Sequence, residues 1–299
     1  LFALFTNYRV LNIVHRILLP VVLLSLVFFF AAGCSGQAQE TKLRVGLIPN
    51  QSPDKVKAQY EPFRKYLSEK LNMPVELFVA VDYTAVVEAM ASGKLDVAYF
   101  GGLTYVQAKQ RAEIYPSVTE IDRYSHTTKY HSLIIAPANS PVETVADLKG
   151  KTFAFGDINS TSGSLYPRIM LDRAGIKVPE DLKQVIYTGG HDATALAVQN
   201  QTVDAGGVED RIFYTLVEQG VIDPDKVKII ARSDPIEGYP WVVRVGLDKD
   251  LVERITQAFL DMDDPELLKL MRAEGYARVS DADYLYIEEE AQRLGLLRK

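Results

Sequence analysis

The sequence predicts an α/β protein of two hinged α/β units with a ligand cleft between them. Three observations point there. The length of 299 residues suits two domains of ordinary size. From Leu43 onward short β-rich runs alternate with amphipathic helical stretches, which implies parallel strands joined by helical crossovers. A β-rich run at 242–245 then returns the chain to the first unit after a second one is complete.

The elements follow in order. Residues 43–48 read as a buried strand ending at Pro49. Val56, Tyr60, Phe63, Leu67 and Leu71 recur every three or four residues and predict a helix. Residues 75–80 read as a second strand, 84–92 as a short helix stopped at Gly93, and 95–100 as a third strand running through Gly101-Gly102 into a helix over 104–111. A strand at 133–136 reads as crossing between the units, and a loop and short helix lead from it to Gly150. Residues 152–155 read as a strand, followed by a loop over 156–162 and a helix ending near Gly175. A strand at 185–187, a helix over 191–200 and strands at 203–208 and 227–231 complete the second unit. Beyond the return strand, helices over 251–262 and 265–274 pack on the first unit. The domains are accordingly 42–133 with 242–299, and 134–241. No short repeat of solenoid type is present.

Composition narrows the class. A hydrophobic content of 47% with 24% charged residues excludes disordered, collagenous and low-complexity chains. The single Cys excludes a disulfide framework and a cysteine-built zinc site. A net charge of −6 argues against general nucleic-acid binding, which needs a basic face against phosphates.

The first residues read as an address, not as fold. Arg9, His15 and Arg16 precede an apolar run over 17–32 interrupted only by Pro20 and Ser25, the layout of an export signal. The run is shorter than a comfortable membrane span of about 20 residues. Ala31-Ala32-Gly33-Cys34 resembles the bacterial lipobox, with Ala31 where Leu is usual. Residues 1–33 are thus expected to be a lipoprotein signal peptide, Cys34 the lipidated residue, and 34–41 a linker. A plain secretory signal or an uncleaved anchor is the alternative. A chain starting at Leu1 implies a non-Met start codon or a truncation. Cleavage removes Arg9 and Arg16 and no acids, leaving 31 basic against 39 acidic residues and a net charge of −8. The expected place is the cell envelope, in the periplasm or on the outer face of the cytoplasmic membrane.

Open α/β sheets bind ligands where strands end and helices begin, because unpaired helix N–H groups and the helix dipole converge there. Three such junctions carry Gly and hydroxyl residues. The segment Asn159-Ser160-Thr161-Ser162-Gly163-Ser164 sets several hydroxyls at a helix start, where they can donate to an anion beside backbone amides, or simply cap the helix. Gly189-Gly190-His191-Asp192 puts a His in a first helical turn, able to donate to an anionic oxygen or to cap a turn. Tyr99-Phe100-Gly101-Gly102-Leu103-Thr104 leads a strand through two glycines, by itself mostly a packing turn.

Catalytic arrangements are poor. No nucleophile elbow, Walker loop, H-E-x-x-H or dinucleotide fingerprint appears. His126 and His131 lack the helical spacing of a metal pair and read as solvent or cleft-edge residues. Glu209-Asp210 are adjacent and cannot straddle a bond; as the end of a Gly-rich strand they suit a ligand cleft, and otherwise a surface or hinge pair. No cofactor and no metal are expected.

The segments 157–163, 190–198, 82–89 and 235–240 together resemble the phosphonate/phosphite/phosphate-binding proteins of ABC importers, in joint order and spacing, over essentially the whole chain from Lys42. The resemblance implies the two-domain, type II periplasmic binding protein fold, which closes on its ligand. It implies that Ser160, Thr161, Ser162 and His191, the last neutral or protonated, hold a tetrahedral phosphorus oxyanion. Tyr83 then matches a cleft aromatic of the opposite domain and Phe100 a second one. Members that bind an amine-bearing phosphonate place carboxylates at the far end of the pocket. One such position matches Tyr239 here, where the charge is absent, and Glu209 matches the other across a gap. A ligand ammonium left unpaired there costs about 3–5 kcal/mol, so phosphite, methylphosphonate or a similar small oxyanion is expected over aminoethylphosphonate. The implied partners are that ligand, an ABC importer permease and, through the lipid, a membrane, with no nucleic acid. Alternatives are phosphate or another tetrahedral anion such as selenate, an envelope sensor with the same fold, and, least favoured, an enzyme acting on phosphorus compounds.

Overall fold

The computed structural model describes residues 42–297. The expected signal peptide, Cys34 and the linker to residue 41 lie outside the described residues.

Helix α1 (Pro53–Leu71) starts with Pro at its first position, where no intrahelical N–H is needed, and ends at Asn72 in the left-handed region with φ 50°. Its buried residues are the predicted stripe, Val56, Tyr60, Phe63, Leu67 and Leu71. Strands β1 (Leu43–Leu47), β2 (Val75–Val79) and β3 (Val97–Tyr99) pair in parallel, with β1 between the other two. Helix α2 (Tyr83–Ala91) follows β2, capped by Asp82, whose carboxylate accepts from the Ala85 amide at 2.8 Å. Helix α3 (Gly102–Lys109) follows β3.

The sequence reading contains no strand over β4 (Ile114–Asp122), yet β4 is a nine-residue member of the first sheet. Thr119, Glu120 and Asp122 are all buried in it, so its inward positions look polar in the sequence. The chain then passes through the short strand β5 (Lys129–Tyr130) to β6 (Ser132–Pro137). The expectation that 133–136 crosses between units is corrected here. Leu133 and Ile135 enter one core cluster and Ile134 and Ala136 another, because successive strand side chains point to opposite faces. A strand covered on both faces is interior, and β6 lies inside the second sheet.

That sheet continues with β7 (Thr152–Phe155), β8 (Gln184–Tyr187), β9 (Ala205–Glu209) and β10 (Val227–Arg232), in the order β10-β6-β9-β7-β8. Helices α4 (Tyr166–Arg173), α5 (His191–Gln199) and α6 (Asp210–Glu218) cover it. Helix α6 is a second element missing from the sequence reading, although it buries Ile212, Phe213 and Leu216 on one face.

The return runs through β11 (Ile236–Glu237), which pairs antiparallel with β5, into β12 (Trp241–Arg244). Helices α7 (Lys249–Leu260) and α8 (Pro265–Leu270) follow. The expected helix over 265–274 is shorter than read. Arg272, at φ 59°, ends it, and β13 (Ala273–Arg278) joins the first sheet beside β4. Helix α9 (Leu285–Arg293), also unread, buries Ile287 and Ala291. The first sheet therefore runs β13-β4-β12-β3-β1-β2.

Both sheets are mixed. Pairs β1–β2, β1–β3, β7–β8 and β7–β9 are parallel, whereas β12 and β13 in the first sheet and β6 and β10 in the second pair antiparallel. Wholly parallel sheets need every strand to be reached by a crossover helix. Strands β6 and β12 arrive from the other lobe and are free of that constraint.

Candidate functional site

The hydroxyl-rich junction sits between β7 and α4, on the second lobe. Thr161–Leu165 form a single π-helical turn, with Ser160 as its cap. The Ser160 Oγ accepts from the Gly163 amide at 3.0 Å, so capping does account for this hydroxyl. Thr161 reaches the other lobe: its Oγ1 accepts from the Leu103 amide, in the first turn of α3, at 2.9 Å. Asn159 reinforces the same contact, accepting from Gln107 at 3.0 Å and donating to Thr84 at 2.8 Å. The two lobes are closed on one another at this edge. Ser162 differs from Ser160 and Thr161, and resembles Ser164, whose buried hydroxyl is also without a partner. It is fully buried, and its hydroxyl has no partner in the protein.

His191 opens α5, and its backbone amide donates to the Asn50 carbonyl of the first lobe at 3.0 Å. The ring is 1% exposed. Its Nδ1 accepts from the backbone amide of Glu209 at 3.2 Å, which leaves Nε2 to carry the proton of the neutral ring. That Nε2 is buried and has no hydrogen-bond partner. Desolvation holds the imidazole below its ordinary value of 6.5 despite the nearby Glu209. Burial therefore favours the neutral ring over the protonated one, with its proton on Nε2.

Tyr83, at the start of α2 and 1% exposed, comes from the first lobe, and its hydroxyl lies beside Ser160. Tyr130, which the sequence reading passed over, comes from the crossing strand β5; its hydroxyl lies beside Ser162 and has no hydrogen-bond partner. Phe100 packs in the core of the first lobe, its amide donating to the Pro240 carbonyl at 3.1 Å.

Glu209 and Tyr239 meet directly. The Tyr239 hydroxyl donates to Glu209 Oε2 at 2.7 Å, and Glu209 Oε2 lies 4.0 Å from His191 Nε2. Burial alone would raise this carboxyl. The charges of Arg211 and Arg272, with the Tyr239 hydrogen bond, outweigh burial and hold it below the usual carboxylate range. Arg211, Glu120 and Arg272 are absent from the sequence reading, and each is at most 6% exposed. Arg211 Nε donates to Glu209 Oε1 at 2.7 Å and its Nη1 donates to Glu120 Oε1, on β4, at 2.7 Å. Arg272 donates to Gln59 at 3.3 Å. The contiguous Glu209-Asp210-Arg211 was a usable signal for the first of these pairs. Nothing in the sequence pointed across to Glu120.

Residues 45–284 match the family of periplasmic substrate-binding proteins of phosphonate ABC transporters. The chain belongs to this family. It is 30% identical to the phosphate-import protein PhnD of Mycolicibacterium smegmatis over 78% of this chain and 78% of that protein. It is also 30% identical to the phosphonates-binding periplasmic protein of Escherichia coli, over 75% of this chain and 67% of that one. Among solved structures it resembles a binding protein component of an ABC phosphonate transporter from Pseudomonas aeruginosa. The TM-score there is 0.79 at 25% identity, covering 86% and 87% of the two chains. PhnD1 of Prochlorococcus marinus, solved with methylphosphonate, shares the fold at TM-score 0.76 and 24% identity, covering 85% of this chain and 98% of that one. The architecture is the two-domain, type II periplasmic binding protein fold.

The β5–β11 ladder is the place where the chain crosses between lobes in both directions. It delivers Tyr130 and, two residues beyond Glu237, Tyr239 to the same space. A cavity of about 650 Å³ lies elsewhere, lined by residues that include Gln51, Lys55, Arg123, Glu218, Lys269 and Arg272. It contains none of the hydroxyl residues of the junction, which are enclosed instead. His131 Nδ1 faces the Ser233 carbonyl at 2.8 Å and its amide donates to Asp210 at 3.1 Å, whereas His126 is exposed and pairs with Glu274 at 2.6 Å. Among the described residues no group of three or more His, Cys, Asp or Glu side chains is placed to hold a metal ion. No described helix is long and apolar enough to cross a membrane.

Proposed function

We propose that this protein captures a small tetrahedral phosphorus oxyanion, phosphite, methylphosphonate or a similar short phosphonate, between its lobes and delivers it to the permease of an ABC importer. One observation carries the reading: Ser162 Oγ, His191 Nε2 and the Tyr130 hydroxyl are buried in one region and have no protein partner. Unpaired buried polar groups are costly, about 1–3 kcal/mol each, so a site that keeps three of them is built for something that accepts their hydrogen bonds. The relatives support the anion class, one named for phosphate import, one for phosphite and one for phosphonates.

In this reading Ser160, Thr161, Ser162 and His191 present the second lobe to the oxyanion, and Tyr83 presents the first. The donors are neutral, so an acidic protein can bind an anion without a basic patch. Closure expels water and strengthens each hydrogen bond in the lower dielectric. Glu209, held ionised, accepts a P–O–H and disfavours a fully ionised ligand. The protein performs capture and hand-over, with no turnover, and Cys34 carries a lipid that tethers it to the envelope membrane.

Thermal unfolding of the purified protein against phosphite, methylphosphonate, aminoethylphosphonate, phosphate, sulfate and selenate tests the reading. A ligand at about a hundred times its dissociation constant stabilises by about 2.7 kcal/mol. Stabilisation by one small phosphorus anion is expected. No response to any of them would refute the oxyanion assignment.

A further inference from the structure

Arg211 is a buried charge that the capture mechanism does not use. It stands in the first turn of α6, 2% exposed, and bonds carboxylates of both lobes, Glu209 beside it and Glu120 on β4. Its guanidinium carbon lies 4.6 Å from the Tyr130 ring centre and 5.4 Å from that of Tyr239. Glu209 is completed by the Tyr239 hydroxyl at 2.7 Å, and Glu120 accepts from Tyr99 at 3.3 Å. Two buried carboxylates framed by tyrosine faces are a receptor for an organic cation, since ring quadrupoles and carboxylates both attract one. Here a side chain of the protein supplies that cation.

We infer that Arg211 sets the ligand class, by occupying the place where a ligand's ammonium would pair. Phosphorus oxyanions bearing hydrogen or a short apolar substituent are therefore accepted, and aminoalkyl phosphonates are rejected. The inference rests on the oxyanion reading above. Two consequences follow from the charges. Arg211 and Arg272 balance Glu209 and Glu120, so this carboxylate pair keeps no net negative charge to attract an ammonium. A second cation brought beside Arg211 meets like-charge repulsion where water is excluded. Because Glu120 and Arg211 belong to different lobes, the closed state makes this discrimination.

Calorimetric titration of the unmodified protein with methylphosphonate, propylphosphonate and 2-aminoethylphosphonate tests the inference directly, since the last two have the same chain length and differ in charge. The aminoethyl compound is expected to bind at least tenfold more weakly than the propyl compound, and about a hundredfold more weakly than methylphosphonate. Arg211→Ala is expected to cut the methyl-to-aminoethyl ratio at least tenfold while aminoethylphosphonate gains affinity in absolute terms. Adding Glu209→Gln is expected to abolish that gain. Equal affinity for the propyl and aminoethyl compounds in the unmodified protein would overturn the inference even if Arg211→Ala fails to fold, and so would an unchanged ratio in a folded Arg211→Ala. Binding of neither these compounds nor phosphite would overturn the oxyanion reading itself. Binding of small phosphonates without discrimination would overturn only the role of Arg211.

Discussion

The ring Nδ1 of His191 accepts the backbone amide of Glu209 at 3.2 Å, which ties the helix that opens at His191 to the end of strand β9. The bond fixes the neutral tautomer and aims the Nε2 proton into the enclosed site. It also gives stability a pH dependence. Burial places the folded imidazole below 6.5, so as pH falls through about 6.5 the unfolded chain takes up a proton that the folded one refuses. Stability contributed by neutral His191 is therefore present above that pH and declines below it, until the folded ring itself is protonated. The urea midpoint of the unmodified protein should fall more between pH 7.5 and pH 5 than that of His191→Asn, which lacks an imidazole at this position. Parallel curves would show that the ring does not sit neutral in the folded state.

Two neighbouring serines should separate stability from binding. Ser160 caps the π-helical turn, whereas Ser162 Oγ bonds nothing in the protein. Ser160→Ala should cost about 1 kcal/mol of stability, the worth of an N-cap. Ser162→Ala should leave unfolding nearly unchanged yet weaken oxyanion affinity at least tenfold, since a hydrogen bond to a charged group contributes about 1.5–3 kcal/mol. The double substitution should abolish binding in a protein that still folds. Wild-type affinity in the double variant would move the site elsewhere.

Gly238 lies between Glu237, the last residue of β11, and Tyr239, which the crossing segment delivers to the site. A Cβ there would overlap the Thr119 hydroxyl and come within 2.7 Å of the Thr128 carbonyl oxygen. That carbonyl belongs to the backbone leading into β5 and cannot swing aside as a side chain would. Gly238→Ala should lower stability by about 1–3 kcal/mol, as overpacking does, and should weaken ligand affinity with it, because Tyr239 moves too. Chemical denaturation read beside calorimetry checks both effects.

Cys34 makes a prediction at the cell level. Cys34→Ala should shift the protein from the membrane fraction to the soluble envelope fraction or leave it as an unprocessed precursor. Fractionation followed by mass determination of the N-terminus distinguishes these outcomes from a protein that never carried lipid. An unchanged distribution would point to a plain secretory signal or an uncleaved anchor.

The alternation of strand and helix was legible because it rests on local physics. The period of Val56, Tyr60, Phe63, Leu67 and Leu71 and the β-rich run at Thr152–Phe155 announce themselves within a few residues. Strand β4 was not, because Glu120 and Asp122 are buried in it. A sequence shows a buried carboxylate as polar and therefore as outward facing. Only its partner makes it an inward one, and for Glu120 that partner is Arg211, 91 residues further along the chain.

By itself the sequence determined the α/β class, the hydroxyl-bearing junctions at Ser160–Ser162 and His191, and the family resemblance. These depend on neighbours in the chain, where hydrophobic period and motif spacing carry the information. The tertiary structure alone decided that β6 is interior, that both sheets are mixed, that burial disfavours a charged His191, and that Arg211 binds the carboxylates of both lobes. Each of those depends on which groups burial brings together over long sequence separations. The charge state and bonding of a buried polar group are set by its spatial partners, which local periodicity does not encode.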